Sequence, residues 1–257
     1  MAFASKGAGG SVGSATANQA SITLTTATTN LAAGDLGVII VCGDNNQTGD
    51  GDEGMVTSVT DSAGNGWVKA VEFCNGQGSA QAGSTCSMWF TNAKAALNTG
   101  GTITANLSNA ASRDAMCLAA WYYTKAAGTV AARAFSATLA NDAADPGSLN
   151  VTTLNKEYLR IRGISSELNS VTAITVTATW TSWALTVRSS NAAAAQTARA
   201  EHIISTATSA ASDPTYASAD HASVYAAFEE LLPAGYLENA YAGLEVPHLR
   251  SFETIGV

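Results

Sequence analysis

Residue types that do chemistry are thinly spread through this 257-residue chain. Gly-Gly-Ser-Val-Gly at 9–13 has the Gly-x-Ser-x-Gly form of a hydrolase nucleophile elbow, in which a strand-to-helix turn lifts the serine above a sheet. Only Gly, Ala and Ser surround it here, so Ser11 is not read as a nucleophile. Gly-Asp-Gly-Asp-Glu-Gly at 49–54 matches Gly-x-Gly-x-x-Gly, but its three carboxylates would repel the phosphate that such a loop cradles. Asp44, Asp50, Asp52 and Glu53 are hard oxygen donors suited to Ca²⁺. Counted from Asp44 the twelfth position is Met55, and the series from Asp50 also lacks the closing glutamate, so the stretch reads as a solvated acidic loop. His202, His221 and His248 have no Cys or His partner at zinc spacing. A glycosidase takes its two carboxylates from any two strands, and Glu72, Glu157, Glu167, Glu201 and Glu229 are the strand-borne candidates. All five are expected to face solvent. Trp67, Trp89, Trp121, Trp180 and Trp183, with Tyr122 and Tyr123, suit either stacking on a sugar or filling space between sheets, and the second use is expected. The chain is therefore read as non-enzymatic, with no catalytic residue, cofactor or metal.

Composition narrows the partners. The formal net charge is -8, and 12 Lys plus Arg make no basic stripe to replace counterions on phosphate, so nucleic acid is not an expected partner. The first ten residues lack the apolar core of a secretory signal, and the apolar run at 36–42 is too short to span a bilayer. The expectation is a soluble chain folded where it is made, without a membrane partner. Cys42, Cys74, Cys86 and Cys117 are accordingly read as free, buried thiols. A hairpin centred near residue 80 would set Cys74 opposite Cys86 and Val71 opposite Trp89, which permits a disulfide.

These residues must be positioned by strands. Residues 1–20 are mostly Gly, Ala and Ser with little periodicity and predict a flexible or draped arm. Ser-Ile-Thr-Leu-Thr-Thr at 21–26 alternates as a half-buried strand does, and Leu-Gly-Val-Ile-Ile-Val-Cys at 36–42 is the continuous apolar run of a central strand. Residues 56–73 predict a hairpin, two strands joined at 61–66, with Asn65-Gly66 supplying the positive φ of a tight turn. Strands are also expected at 85–90, 101–107 and 115–123.

After Asp-Pro-Gly at 145–147 the order of elements returns. Residues 148–153 echo 21–26, residues 158–164 answer 36–42, Val-Thr-Ala-Ile-Thr at 171–175 repeats Val-Thr-Ser-Val-Thr at 56–60, and an Ala-x-x-x-Ala-Ala-aromatic signature occurs at 115–121 and 222–228. Pseudo-repeats at about 21–128 and 148–233 satisfy either two tandem sandwiches or one sandwich with a shared core. The expected fold is the second, an all-β, jelly-roll-like antiparallel β-sandwich over 21–233 with internal duplication.

The pattern of Gly34-Asp35 before an apolar strand, Thr-Asp-Ser-Ala-Gly-Asn-Gly-Trp at 60–67, Met-Trp-Phe at 88–90 and the closing Ala-Ala-Phe at 226–228 resembles a β-sandwich family. That family recurs among head and tail structural proteins of tailed bacteriophages and in bacterial surface proteins, and the resemblance spans about 21–233. It implies a virion structural protein, a capsid decoration or head-fibre protein assembled in the host cytoplasm. Its implied partners are other virion proteins, the major capsid protein or neighbouring copies, in a homo-oligomer. A carbohydrate- or receptor-binding module of a phage tail or bacterial surface protein is the alternative.

Residues 234–257 differ in character. Leu237, Tyr241 and Leu244 fall at helical spacing, and Leu249, Phe252 and Ile255 follow at threes. With Tyr236 they form the candidate subunit-docking set, because a short terminal segment gains order by burying its side chains on something larger. Folding back onto its own sandwich is the competing use of the same residues.

Overall fold

The structure is a computed structural model and describes residues 3–16, 18–77, 83–108, 115–143, 147–167, 174–183, 187–190, 195–216 and 218–232. Among them there is no helix, and fourteen strands run in the order β1 (Ala4–Ser14), β2 (Ser21–Thr25), β3 (Leu36–Asp44), β4 (Val56–Asp61), β5 (Val68–Asn75), β6 (Ser84–Asn92), β7 (Thr102–Leu107), β8 (Met116–Thr124), β9 (Thr129–Ala143), β10 (Tyr158–Ser166), β11 (Thr181–Ser182), β12 (Val187–Ser190), β13 (Ala195–Ser205) and β14 (Ala219–Leu231). All pairings are antiparallel.

Three sheets stack. The middle one has the order β1-β8-β3-β6-β5, a small one β2-β7-β4 covers one of its faces, and a six-stranded one, β11-β13-β10-β14-β9 with β12 also on β13, covers the other. The alternation of side chains along β3 distributes them between two cores. Val38, Ile40 and Cys42 join Leu159, Ile161, Val224, Ala226 and Phe228 of the six-stranded sheet, while Ile39 and Val41 join Ile22, Leu24, Val59 and Ile103 of the small one. A strand apolar on both faces reads as an uninterrupted run, which is why 36–42 lacks alternation. β2 has a solvated face and does alternate, with Ile22 and Leu24 buried. The antiparallel β-sandwich expected from the sequence is present, and residues from both halves share the core between the two large sheets.

The six-stranded sheet runs β9-β14-β10-β13 with β11 and β12 both on β13, and the middle sheet runs β1-β8-β3-β6-β5. Their outer covers differ. Where the first half has the small sheet, the second has loops held by the isolated bridges Leu149↔Ser212 and Thr175↔Thr215. On β10, Leu159 and Ile161 face the shared core, whereas Arg160 and Arg162 face the cover and are fully buried. Arg162 donates to the carbonyls of Gly147 (2.8 Å) and Ser212 (2.7 Å), and Arg160 to the carbonyl of Ser205 (3.1 Å) and to Thr153 Oγ1 (2.7 Å). Buried guanidinium groups need such acceptors, and loop carbonyls supply them.

Three expectations change. Residues 4–14 are not a flexible arm; they form β1 on the edge of the middle sheet, paired with β8 through two bulges. The glycines meet geometric demands there: Gly7 and Gly10 have φ of +110° and +139°, and a Cβ on Gly9 would lie 2.4 Å from Tyr122 Cζ. The predicted hairpin at 56–73 is instead a corner, because β4 pairs with β7 in the small sheet while β5 pairs with β6 in the middle sheet. Its positive φ belongs to Gly64 (+76°), not to Asn65 or Gly66. Finally, beyond a bulge between Lys69 and Val71 the β5–β6 register lies one residue from the expected one, so Cys74 faces Thr85, Phe73 faces Cys86 and Val71 faces Met88. A one-residue slip turns Cys74 to the opposite face from Cys86.

Candidate functional site

A concave notch of about 500 Å³ lies on the outer face of the six-stranded sheet, lined by Arg133, Thr153, Leu154, Lys156, Tyr158 and Glu229. β9 supplies Arg133, β14 supplies Glu229, Tyr158 opens β10, and the loop before it carries Leu154 and Lys156. Glu229 is the centre. Its carboxylate side chain is 6% exposed and is paired with both Arg133 and Lys156. Tyr158 donates its hydroxyl to Glu229 Oε2 at 3.3 Å. Lys156 Nζ and the Arg160 guanidinium lie 5.6 and 5.4 Å from the Tyr158 ring centroid, within cation–π range.

Burial raises the Glu229 pKa, but the hydrogen bonds and charges of Lys156 and Arg133 outweigh it and hold the carboxyl below its usual range. A carboxylate so held stays ionised at neutral pH and is a poor proton donor. A two-carboxylate glycosidase needs a second acid facing the same space, and the described lining has none. What the notch can do chemically is tie β9, β14 and the 152–156 loop together and present two half-exposed cations.

The other acids are dispersed. Glu72, Glu201 and Glu229 are buried, not solvent-facing as expected, because each satisfies donors that would otherwise be stranded. Glu72 accepts from the backbone of Met55 (2.5 Å) and Val56 (3.1 Å), and burial raises its pKa. Glu201 accepts from Thr177 N (2.7 Å), Thr177 Oγ1 (2.7 Å) and Ser212 Oγ (2.5 Å). Half-buried Glu157 takes the Phe3 amide at 2.8 Å, and Glu167 takes the Gln196 side chain. In the acidic loop Asp50 accepts from Gly76 N (2.9 Å), and Asp52 accepts from Lys69 Nζ (2.8 Å) and Gly54 N (3.1 Å). No group of three metal-capable side chains gathers among the described residues. Ser11 is exposed on β1, with no helix following it.

All five tryptophans are buried, at 8% exposure or less. Trp121 and Trp183 stack at 5.9 Å between the large sheets, Trp183 Nε1 donates to Tyr123 Oη (3.1 Å), and the His202 imidazole meets the Tyr123 ring edge-on at 5.2 Å. No tryptophan leaves a face free to stack on a sugar. Cys42, Cys74, Cys86 and Cys117 are buried and form no disulfide. Cys42 stands opposite both Cys86 and Cys117, with Cys42 and Cys86 sulfurs 3.8 Å apart. Sequence reading missed that row because the three thiols come from strands distant in the chain. The candidate docking set Tyr236, Leu237, Tyr241, Leu244, Leu249, Phe252 and Ile255 lies outside the described residues, as does His248.

Fold and site together define an antiparallel all-β protein of stacked sheets whose chemically capable side chains serve mainly as structural hydrogen-bonding groups. The chain matches no protein-family model, no curated protein and no solved structure.

Proposed function

We propose that this chain is a non-enzymatic structural component of a tailed-bacteriophage virion, a capsid decoration or head-fibre protein attached through its termini to other virion proteins. The observation that supports the reading is strand order: β1-β8-β3-β6 packed over β2-β7-β4, with β5 added beside β6, is read as jelly-roll-like, and viral capsid and lectin domains share the jelly-roll architecture. The corresponding order in the second half supports a duplication of that unit. This is an argument by fold analogy. Two further features favour the structural branch over the lectin one: the tryptophans are buried, and the acids are committed to backbone, hydroxyl and ion-pair contacts. Residues 234–257 supply the attachment, through the apolar positions between Tyr236 and Ile255.

The test is to look for the chain in phage particles purified from the source culture by mass spectrometry, then to co-sediment such particles with full-length protein and with protein lacking 234–257. Presence in the particles and loss of co-sedimentation on truncation are expected. Absence from the particles overturns the assignment, and a truncated chain that still co-sediments removes the tail from the attachment.

A further inference from the structure

Sheet edges with unpaired backbone groups template association, and this fold shields or shortens each of them except one. Along β1, Ala27 N donates to Gly9 O (3.0 Å), Thr28 Oγ1 to Ala8 O (2.6 Å) and Lys6 Nζ to Asn30 O (3.1 Å). On β5, Gly51 exchanges both backbone bonds with Cys74 (3.1 and 2.6 Å) and Asp52 pairs with Lys69, so the acidic loop lies on that edge. β2, β4, β11 and β12 are six residues or shorter.

β9 is the exception. It runs for fifteen residues and pairs on one side with β14. Val130 alone has a recorded cap, exchanging bonds with the Asn92 side chain at 2.7 and 3.0 Å. From Ala131 onward no described strand pairs with its outer edge. Residues 129–139 contain no Pro and a single ionisable side chain, Arg133, and Phe135 is 53% exposed. The β5 edge lies against β9 in the neighbouring layer, with Val68 56% exposed.

We propose that β9 is a self-association edge: two copies pair β9 with β9 antiparallel across a two-fold axis, joining two six-stranded sheets into one continuous sheet. The occupant is a second copy because the strand suits itself. An axis through Ser136, the midpoint of β9, sets Arg133 opposite Leu139 and Phe135 opposite Ala137 of the second copy, keeping like charges apart and bringing apolar groups together. The β9 edge is about 50 Å long and about 10 Å wide, or roughly 500 Å² per copy and about 1,000 Å² in total, the lower end of specific interfaces. The proposal is independent of the particle assignment, since a dimer forms or fails to form in solution by itself.

Full-length protein and Phe135→Lys are compared by sedimentation velocity and by amide hydrogen exchange, with near-ultraviolet circular dichroism as the check on folding. The wild type is expected at twice the chain mass, with the alternate amides of 131–139 that point away from β14 protected. Phe135→Lys is expected to weaken the dimer at least about tenfold and to speed exchange of those amides by a similar factor. A wild type that is monomeric at about 100 μM overturns the proposal. So does a dimer whose outward-pointing β9 amides, those not bonded to β14, exchange fast, or a monomer in which those same amides are protected, which would mean that another segment of the same chain lies on the edge. These wild-type readings decide the matter even where the variant does not fold.

Discussion

Asp61 closes β4 and holds the corner that carries the chain from the small sheet to the middle one. Its Oδ1 accepts from the amides of Ala63 (2.9 Å) and Asn65 (3.0 Å), and its Oδ2 from Asn65 Nδ2 (3.1 Å) and Trp67 Nε1 (2.9 Å). All four partners are donors. Asp61→Ala removes four bonds and leaves donors of the buried Asn65 and Trp67 without this acceptor. At about 1 kcal/mol net per bond, reduced because Asp61 is partly solvated, the loss is about 2–4 kcal/mol. Asp61→Asn is the sharper perturbation, since its amide NH₂ must face two donors on one side or the other and recovers at most half of the set, a loss of about 1–3 kcal/mol. For a chain of this size the corresponding fall in Tm is about 2–4 °C per kcal/mol. Urea unfolding followed by tryptophan fluorescence, with the midpoint shift read at constant m, measures both variants. Asp61→Asn within about 0.5 kcal/mol of wild type would show that the four bonds contribute nothing, because only an idle carboxylate tolerates that exchange.

Two further outcomes follow from buried groups. Burial lowers the His202 pKa from 6.5 to about 4, so its contribution is full above pH 6.5 and is lost as pH falls towards 4, by about 3 kcal/mol in all. Subtracting the stability of His202→Gln from that of wild type at each pH should show this slope, and a flat difference between pH 4 and 6.5 counts against it. Burial, reinforced by Cys42, pushes the Cys86 thiol well up, so a thiol-specific reagent should label none of the four cysteines until the protein unfolds, and a reductant should leave Tm unchanged. Rapid labelling of the native protein, or a reductant-sensitive Tm, goes against that picture.

Legibility in the sequence tracked the range of the interactions. The run at 36–42 and the alternation at 21–26 were readable because each depends on how many faces of one strand are covered, a local property of pattern. Asn65 was misread because its side chain, not its φ, does the work: it binds Asp61, accepts from the amides of Lys94 (2.8 Å) and Ala95 (2.9 Å) and donates to Ala95 O (3.1 Å), partners about thirty residues away. The Cys74 pairing failed because the β5–β6 register lies one residue from that of a hairpin centred on 80, and no composition signals which register forms. Glycine in β1 looked like slack and is instead clearance for the Tyr122 ring. The buried glutamates could not be recognised either, since the donors they satisfy become stranded only when distant loops are laid over the sheets. The notch around Glu229 likewise assembles residues from three separate stretches, and no spacing announces it.

The pairing of β1 with β8 has a consequence during synthesis. Ala4 meets Thr124, so the first unit stays open until some 120 further residues have left the ribosome, and β9 waits equally for β14, whose Leu231 meets Thr129. When the first unit closes, the Val38, Ile40 and Phe90 side of its middle sheet still has nothing against it, because Leu159, Val224 and Phe228 are yet to be made. Translation therefore carries an interval in which a finished sheet displays an uncovered apolar face, and the pace of the second half sets how long neighbouring chains have to stick to it.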